Sequence, residues 1–270
     1  PKAPILLLLH GLEGSKNSIY IQSLLHTTKS YNWNIVVMHF RGCSGELNRL
    51  PRSYHSGETE DIKWVLQMLR KQQPESIIMA VGFSLGGSVL LKYLGESQHQ
   101  SLIDIAAAIS VPLLLSPASR RLDKGFSRFY KNQLLNELKQ KTRAKISQHK
   151  LELFASTASL ENINTFFDFD DQITAPLHGF KNAEDYYQRS SSRQFLSTIA
   201  KPTLILHAAD DPFMTEEVIP NSSELSDSVT LELSQRGGHV GFVFGSVPWR
   251  SQCYIDEKIP RWFQQQLKHE

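Results

Sequence analysis

The sequence predicts an α/β fold in which a mostly parallel sheet is flanked by helices and carries a helical insertion. Short apolar runs alternate with stretches of helical periodicity over most of the 270 residues. Several runs are apolar at every position, which is typical of parallel strands covered on both faces. Between about residues 112 and 199 the alternation stops, and that segment is too long for a loop and contains no run resembling a strand.

Six apolar runs predict the strands of the sheet. In chain order they are Ile5–Leu9, Ile35–Phe40, Ile77–Val81, Ile105–Val111, Pro202–His207 and Val229–Leu233. A helix is predicted over residues 58–71, because apolar side chains recur there at the spacing of one helix face and acidic residues occupy the first turn. Another is predicted near the C-terminus from Ile255, Ile259, Trp262 and Phe263. Such alternation implies right-handed crossovers between parallel strands.

The same pattern predicts two units. Residues 1–111 and 200–270 are expected to form the α/β core, and residues 112–199 a helical cap or lid. Helices in the cap are suggested by Leu134, Leu135, Leu138, Ile146, Leu151, Leu153 and Phe154. Because ligands of open parallel sheets bind at the carboxyl ends of the strands, a cap inserted after a strand is expected to cover the binding site. The chain enters a strand pattern almost at its first residue, so we expect the leading strands of the core to be absent from this sequence.

Composition excludes several classes of protein. A formal net charge of +2 is too small for a nucleic-acid-binding protein, so no nucleic-acid partner is predicted. The longest unbroken apolar run is about five residues, far short of a transmembrane helix. Cys43 and Cys253 are the only cysteines, which fits a reducing compartment and predicts a cytoplasmic location, with membrane association left open.

Positive charge is concentrated in one segment of the predicted cap. Residues 119–150 contain ten lysines and arginines against two acidic residues. This basic segment has two interpretations. It could make peripheral contact with an anionic lipid surface, at about 1 kcal/mol per basic residue near that surface. Alternatively, it is a solvated helix face, which the sequence slightly favours.

One motif indicates a catalytic nucleophile. Residues 82–86 read Gly-Phe-Ser-Leu-Gly and follow an apolar run, while residues 88–94 have the composition of a helix. In a nucleophile elbow of this form, the serine lies on a sharp turn between strand and helix, where its hydroxyl is accessible. Ser84 is therefore the predicted nucleophile.

A serine hydroxyl needs a base, and the base needs a group that orients it. Of ten histidines, His239 alone lies beyond all the predicted strands on a glycine-flanked loop, so it is the predicted base. The acid is expected in the turn after the strand at 202–207, where Asp210 and Asp211 compete. Asp211 is favoured because it precedes Pro212, which biases it toward an extended conformation at a turn.

Two backbone N–H groups are expected to form the oxyanion hole. One belongs to Leu85, directly after the nucleophile, and the other to Leu12, in the loop His10–Gly14 that follows the first strand. This chemistry requires no metal and no organic cofactor, and none is predicted.

Several further motifs share a pattern with a known family. They are His10–Gly14, His39–Gly45, Tyr54–Asp61, Gly82–Gly87, Phe169–Pro176 with Gly179 and Phe180, Asp185–Tyr187, Ala209–Phe213, and Gly238 with His239. On these residues the chain resembles the YheT-like branch of the α/β-hydrolase superfamily, which is related to the abhydrolase-domain lipases that act on phospholipids and other acyl esters. The resemblance implies a catalytic triad at Ser84, Asp211 and His239, in the chain order of α/β-hydrolases.

The predicted function is that of a serine carboxylesterase or lipase. It would cleave small-molecule acyl esters with medium or long acyl chains, lipid-derived ones among them, through an acyl-enzyme on Ser84. Two alternatives remain open at this stage. The acyl group could be transferred to an alcohol or amine instead of water, or the chain could be a non-catalytic binding protein with the same fold.

Three weaker signals have competing interpretations. His55 could line the pocket, but a buried, hydrogen-bonded histidine is favoured. The loop Arg41–Gly45 could form part of the active-site rim, but a structural loop is favoured. The acidic cluster Asp168–Asp171 superficially resembles a metal site, whereas its alternation with phenylalanine and the lack of nearby histidines or cysteines favour a turn or a cap-docking role.

Overall fold

The computed structural model describes residues 2–149, 160–244 and 252–268. Its main feature is a six-stranded, fully parallel sheet with the strand order β2-β1-β3-β4-β5-β6. These strands are β1 (Ile5–Leu9), β2 (Asn34–Met38), β3 (Ile78–Phe83), β4 (Ile105–Ile109), β5 (Thr203–Ala208) and β6 (Val229–Ser234). A short antiparallel pair, β7 (Val243–Phe244) with β8 (Gln252–Cys253), was not predicted. The predicted fold class is confirmed.

Helices cover both faces of the sheet. On one face, α2 (Glu60–Gln72) and α3 (Leu85–Ser97) pack in the larger apolar cluster. On the other, α1 (Ile19–Thr27) and the C-terminal helix, α9 (Tyr254–Gln266), pack in a second cluster. Within β1 the side chains alternate between the two clusters, as the pleat of a strand requires. All the residues of β1, β3, β4 and β5 are buried, which explains why these strands are largely apolar on both faces.

The described residues between β4 and β5 form helices and turns and no strand. These helices are α4 (Leu115–Arg121), α5 (Ser127–His149), α6 (Phe166–Phe169), α7 (Ala175–Leu177) and α8 (Ala183–Ser190), with a π-helical turn at Asp170–Thr174 between α6 and α7. Leu135 of α5 packs with Phe169 and Ile173 in a small apolar cluster of their own. The predicted helical residues Leu151, Leu153 and Phe154 lie outside the described residues. The division into core and cap stays a prediction.

The basic segment does not form a uniformly solvated face. Lys131, Lys139 and Lys145 of α5 are buried. The interpretation of the segment as a solvated helix face is therefore wrong for these three lysines. Lys131 donates hydrogen bonds to Asp123 at 3.0 Å and to the carbonyl oxygen of Asn164 at 2.7 Å. Part of the segment's positive charge therefore lies inside the protein, on these three lysines.

Asp170 is a partly buried carboxyl in the helical region, and its protonation is expected to affect stability. Thr174 and Tyr187 donate hydrogen bonds to it at 2.7 and 2.8 Å, but burial outweighs them and raises its pKa from 3.8 to about 6. The folded protein therefore holds this proton more tightly than the unfolded chain. The resulting stabilisation is present below pH 3.8 and is lost as the pH rises through about 6, a change of about 3 kcal/mol.

We expect Asp170→Asn to remove this pH dependence. The free energy of unfolding of the variant, measured relative to wild type by urea denaturation, should increase as the pH is raised from acidic to neutral. Asp171→Asn, which changes an exposed carboxylate beside it, is the matched control. A difference between Asp170→Asn and wild type that stays constant over this pH range would contradict the prediction.

Candidate active site

The turn from β3 into α3 has the geometry of a nucleophile elbow. Ser84 adopts φ 50° and ψ −117°, a strained conformation that residues with a side chain rarely adopt. Glycine is required two residues later, because a Cβ at Gly86 would lie 2.5 Å from the carbonyl oxygen of His10. The strain and the close approach together hold the Ser84 hydroxyl clear at the carboxyl end of the sheet.

The structure brings the three predicted catalytic residues together. His239 lies on the loop after β6, and its Nε2 is 3.0 Å from the Oγ of Ser84. Its Nδ1 is 2.9 Å from the Oδ2 of Asp211. Asp211 lies just after β5 and is 5% exposed. Nucleophile, base and orienting acid are thus within hydrogen-bond distance in the order that base-assisted attack needs. Their catalytic roles stay predictions.

Geometry also separates the two competing aspartates. Asp211 uses one carboxylate oxygen for His239 and the other to accept the amide of Phe213 at 2.9 Å. The Oδ1 of Asp210 instead accepts the amides of Gly237 and Gly238, each at 2.8 Å. Asp210 therefore anchors the loop that carries His239, whereas Asp211 contacts the ring itself.

Two other residues that support His239 were missed in the sequence. The Oγ of Ser110, which follows β4, accepts the amide of Val240 at 3.1 Å. The ring of Phe213 stacks on the His239 imidazole with centroids 4.3 Å apart. Phe213 lies within the predicted acid turn, so the motif could have indicated it, but nothing local marks Ser110.

The two predicted oxyanion donors lie beside Ser84. Among the described residues, neither Leu12 nor Leu85 donates its backbone N–H to a protein acceptor. The preceding Gly11 packs so closely that an added Cβ would lie 3.3 Å from the Cβ of Ser84, and its amide donates to the hydroxyl of Tyr20 at 2.9 Å. The loop is therefore fixed against the nucleophile with two amides available for a developing oxyanion.

Glu13 connects this loop to α5. Its side chain is 2% exposed, it adopts φ 54°, and its Oε2 accepts from Lys141 of α5 at 2.6 Å. Tyr54 donates to its Oε1 at 2.6 Å and accepts its amide at 2.9 Å. Burial, followed by the Glu13 carboxylate, raises the pKa of Tyr54 well above its usual value, so the phenol stays protonated and can donate. A residue of the helical region thus helps to position the residue next to Leu12.

We expect Lys141→Met to lower kcat by about tenfold or more, with a smaller change in KM, because it leaves the buried Glu13 carboxylate without its cation and lets the oxyanion loop shift. Arg143→Met is the matched control, since Arg143 lies on the same helix and pairs with Glu161 away from the cavity. Lys141→Arg should recover part of kcat. Equal kinetic effects of Lys141→Met and Arg143→Met would show that the ion pair with Lys141 is not needed to position Glu13.

Arg41, the acidic cluster Asp168–Asp171 and His10 all have structural contacts. Arg41 pairs with Asp61 and also lines the cavity described below. No group of three side chains suited to a metal ion occurs among the described residues, Asp168–Asp171 included. Instead, Asp171 accepts the amide of Ala183 at the start of α8. His10 is fully buried, and burial lowers its pKa to about 4, so it is a neutral structural link between Gly11 and Phe40.

Ser84 lines a cavity of ≈ 860 Å³ between the sheet and the helices that follow β4. Much of its lining is apolar, including Leu115, Leu134, Leu138, Phe166, Phe169, Ile173 and Met214. Such a volume can hold a small-molecule ligand with an extended apolar part. In the described part of the chain, no helix has the length and apolar character needed to span a bilayer.

Fold and site together define a class of protein. A family model described as the alpha/beta hydrolase fold matches residues 4–246, and the chain belongs to this family, in the YheT-like branch. It is 44% identical over 259 residues to the "Putative esterase YheT" of Escherichia coli, covering 96% of this chain and 76% of that protein.

Eukaryotic proteins are more distant relatives. Phospholipase ABHD3 of Mus musculus is 30% identical, covering 98% of this chain and 64% of that protein. Monoacylglycerol lipase of Saccharomyces cerevisiae is 34% identical, covering 88% of this chain and 55% of that protein. The chain thus spans less than two thirds of either one. The predicted enzyme class, a carboxylesterase or lipase, is confirmed at the level of the family by these relatives.

Solved structures show the same fold at low sequence identity. The Pyrococcus furiosus esterase Pf2001 matches with a TM-score of 0.61 and 14% identity, over 98% of this chain and 83% of that chain. Est1E from Butyrivibrio proteoclasticus, with ferulic acid bound, matches with a TM-score of 0.60 and 14% identity, over 99% of this chain and 91% of that chain. At such identity the likeness supports the fold alone.

Proposed function

We propose that this protein hydrolyses carboxylic esters through a covalent acyl-enzyme on Ser84. The observation that carries the proposal is the placement of His239 between Ser84 and Asp211, at 3.0 and 2.9 Å, beside two backbone amides that have no protein acceptor among the described residues. The names of the relatives, an esterase, a phospholipase and a lipase, support the same chemistry.

Each proposed step uses a named atom of the site. His239 Nε2 takes the proton of Ser84 as its Oγ attacks the ester carbonyl, and the Leu12 and Leu85 amides stabilise the oxyanion. Asp211 holds the proton on Nδ1, which keeps Nε2 free as the acceptor. The imidazolium then protonates the leaving alcohol as the C–O bond breaks. Water, deprotonated by His239, then attacks the acyl carbonyl; the bond from that carbon to Ser84 Oγ breaks, the acid leaves, and His239 returns the proton to Oγ.

The apolar cavity supports an acyl chain of medium or greater length as the preferred substrate. A series of p-nitrophenyl esters with increasing chain length tests both the proposal and the preference. We expect a rapid burst of p-nitrophenol equal to the enzyme concentration, with kcat/KM rising as the chain lengthens. No turnover of any member would contradict the hydrolase proposal, and a maximum at acetate would contradict the chain-length preference.

Acyl transfer remains the alternative that uses the same intermediate. It differs only in the acceptor that reaches the acyl-enzyme, so added glycerol provides a direct comparison. We expect free acid to be the main product at every glycerol concentration. Glycerol ester as the main product at low glycerol would favour the transferase.

We further propose that the start of α5 contacts an anionic lipid surface. This proposal limits the lipid contact of the basic segment to one turn. Phe126 and Phe129 are 74% and 67% exposed, and exposed Lys124 and Arg128 lie beside them. Tyr130, next in the chain, packs on Phe213 beside the catalytic histidine. Exposed aromatic rings with flanking cations suit the interface of an anionic bilayer, and this turn adjoins the cavity.

We expect replacement of both Phe126 and Phe129 by serine to weaken binding to phosphatidylserine-containing vesicles by about tenfold or more, because each ring loses its apolar contact with lipid. Trp64→Ser is the matched control, since Trp64 is 63% exposed on α2. Vesicle sedimentation measures the effect. Wild-type binding that responds neither to anionic lipid content nor to salt would remove the lipid-surface proposal.

A further inference from the structure

One wall of the cavity is polar and carries donors and positive charge. We define this polar wall as Ser53, His55, Lys145 and His178, all of which line the same cavity as Ser84. The His55 and His178 rings are in contact, with centroids 4.5 Å apart, and Lys145 donates to the Oγ of Ser53 at 3.1 Å. The four residues come from the loop before α2, from α5 and from the end of α7, so the cluster exists only in the folded chain.

His55 presents a fixed donor. The amide of Gly57 donates to its Nδ1 at 3.1 Å, and since an amide N–H can only donate, Nδ1 must accept. In the neutral ring the proton then lies on Nε2, which has no acceptor among the described residues. Burial, followed by the neighbouring His178 and the cations Lys92 and Arg52, lowers the pKa of His55 to about 3, so the ring is neutral.

His178 adds an unused nitrogen in positive surroundings. Its Nε2 is buried and has no hydrogen-bond partner in the described part of the chain. Burial lowers its pKa to about 4, and the charged neighbours that add to this effect are all cations: Lys145, Arg52 and Arg41. The nearest charges to this ring thus attract an anion.

Lys145 supplies a charge with no counter-ion among the described residues. Its ammonium is buried and donates to the carbonyl oxygens of Pro51 and Arg52 at 3.1 and 2.8 Å, and to Ser53, all of them neutral acceptors. The other cations of the cavity are paired, Arg41 with Asp61 and Lys141 with Glu13. An uncompensated buried charge is costly, and an anion that enters the cavity would offset that cost.

We propose that the polar wall binds an anionic group, a carboxylate or a phosphate, carried by the ester that Ser84 cleaves. The anion would balance the Lys145 charge and accept from His55 Nε2. This inference rests on the proposed hydrolase function and deepens it, because it names the charge of the substrate. Besides Glu13, which pairs with Lys141, the cavity lining contains the carboxyl of Asp170. Asp170 accepts hydrogen bonds from Thr174 and Tyr187 and forms no ion pair with Lys145 among the described residues.

Two pairs of esters test the inference and distinguish the sources of the anion. In the first pair, p-nitrophenyl hexanoate is compared with the mono-p-nitrophenyl ester of adipate, which places a carboxylate at the end of the acyl chain. In the second pair, hexanoylglycerol is compared with hexanoylglycerol phosphate, which places the charge on the alcohol. We expect wild type at neutral pH to favour the anionic member of at least one pair by about tenfold in kcat/KM, the size of one charge-assisted hydrogen bond.

Variants show whether the polar wall causes the preference for the anionic ester. Lys145→Met should lower this anionic-to-neutral ratio about tenfold, and His178→Phe should lower it in the same direction, which gives a second test should the first variant fold poorly. Arg143→Met, which removes a charge from the same helix outside the cavity, should leave the ratio unchanged. Ratios near one in both pairs, or an equal loss in Arg143→Met, would overturn the inference. Absence of neutral-ester hydrolysis in wild type would instead contradict the proposed function.

Discussion

Replacing Ser84 with alanine is expected to lower kcat for acyl esters by about 10⁶-fold, the size of effect seen when a serine nucleophile is removed from a complete triad. The reason is that His239 and Asp211 would still be in place but would have no oxygen to activate. Binding should change far less, because the cavity lining is otherwise intact. Steady-state kinetics with p-nitrophenyl butyrate measures kcat, and thermal denaturation checks the fold.

Ser88→Ala is a suitable control for this change. Ser88 lies on the same helix one turn later, it is buried, and its hydroxyl is 3.4 Å from the carbonyl oxygen of Pro112. We expect Ser88→Ala to keep activity within a few-fold of wild type. A Ser84→Ala variant that retains a tenth or more of the wild-type kcat would exclude the acyl-enzyme route.

Asp211→Asn is expected to lower kcat by about 10⁴-fold, which is the second largest effect. The Oδ1 of Asp211 accepts the Phe213 amide, so the asparagine oxygen should take that position and its NH₂ group should face Nδ1 of His239. The imidazole must then accept at Nδ1 and carry its proton on Nε2. In that tautomer it cannot remove the proton of Ser84.

Asp210→Asn is the matched control for Asp211→Asn. The asparagine oxygen can still accept the amides of Gly237 and Gly238, so the loop carrying His239 should keep its position. We expect less than a tenfold loss of kcat, since a neutral acceptor replaces a charged one in an exposed position. A larger loss for Asp210→Asn than for Asp211→Asn would reverse the assignment of the acid.

The features that the sequence predicts well are those encoded over a few neighbouring residues. A six-residue buried strand, two glycines and a helix define the elbow around Ser84, and the turn at Pro212 favours Asp211 over Asp210. The bounds of β1 agree with the prediction, whereas at least one boundary of each other strand of the main sheet differs by one or two residues, because an apolar run does not show where pairing ends. β3, for example, extends to Phe83, directly before the nucleophile.

Contacts between distant parts of the chain could not be predicted in this way. Glu13 and Lys141 are far apart in sequence, and nothing near either residue indicates an ion pair. The basic segment likewise suggested a surface, whereas the structure buries Lys145 against the loop that contains Ser53. For His55 the favoured interpretation was a buried histidine, and in the structure it is both buried and part of the cavity lining.

Covalent labelling shows whether Ser84 is an activated nucleophile. Wild-type protein treated with a fluorophosphonate probe, digested and analysed by mass spectrometry should carry one phosphonyl group, on the peptide containing Ser84. Labelling should slow sharply in His239→Ala, because the base that activates the hydroxyl is gone. An unlabelled wild type, or equal labelling of wild type and Ser84→Ala, would show that Ser84 is not the activated nucleophile.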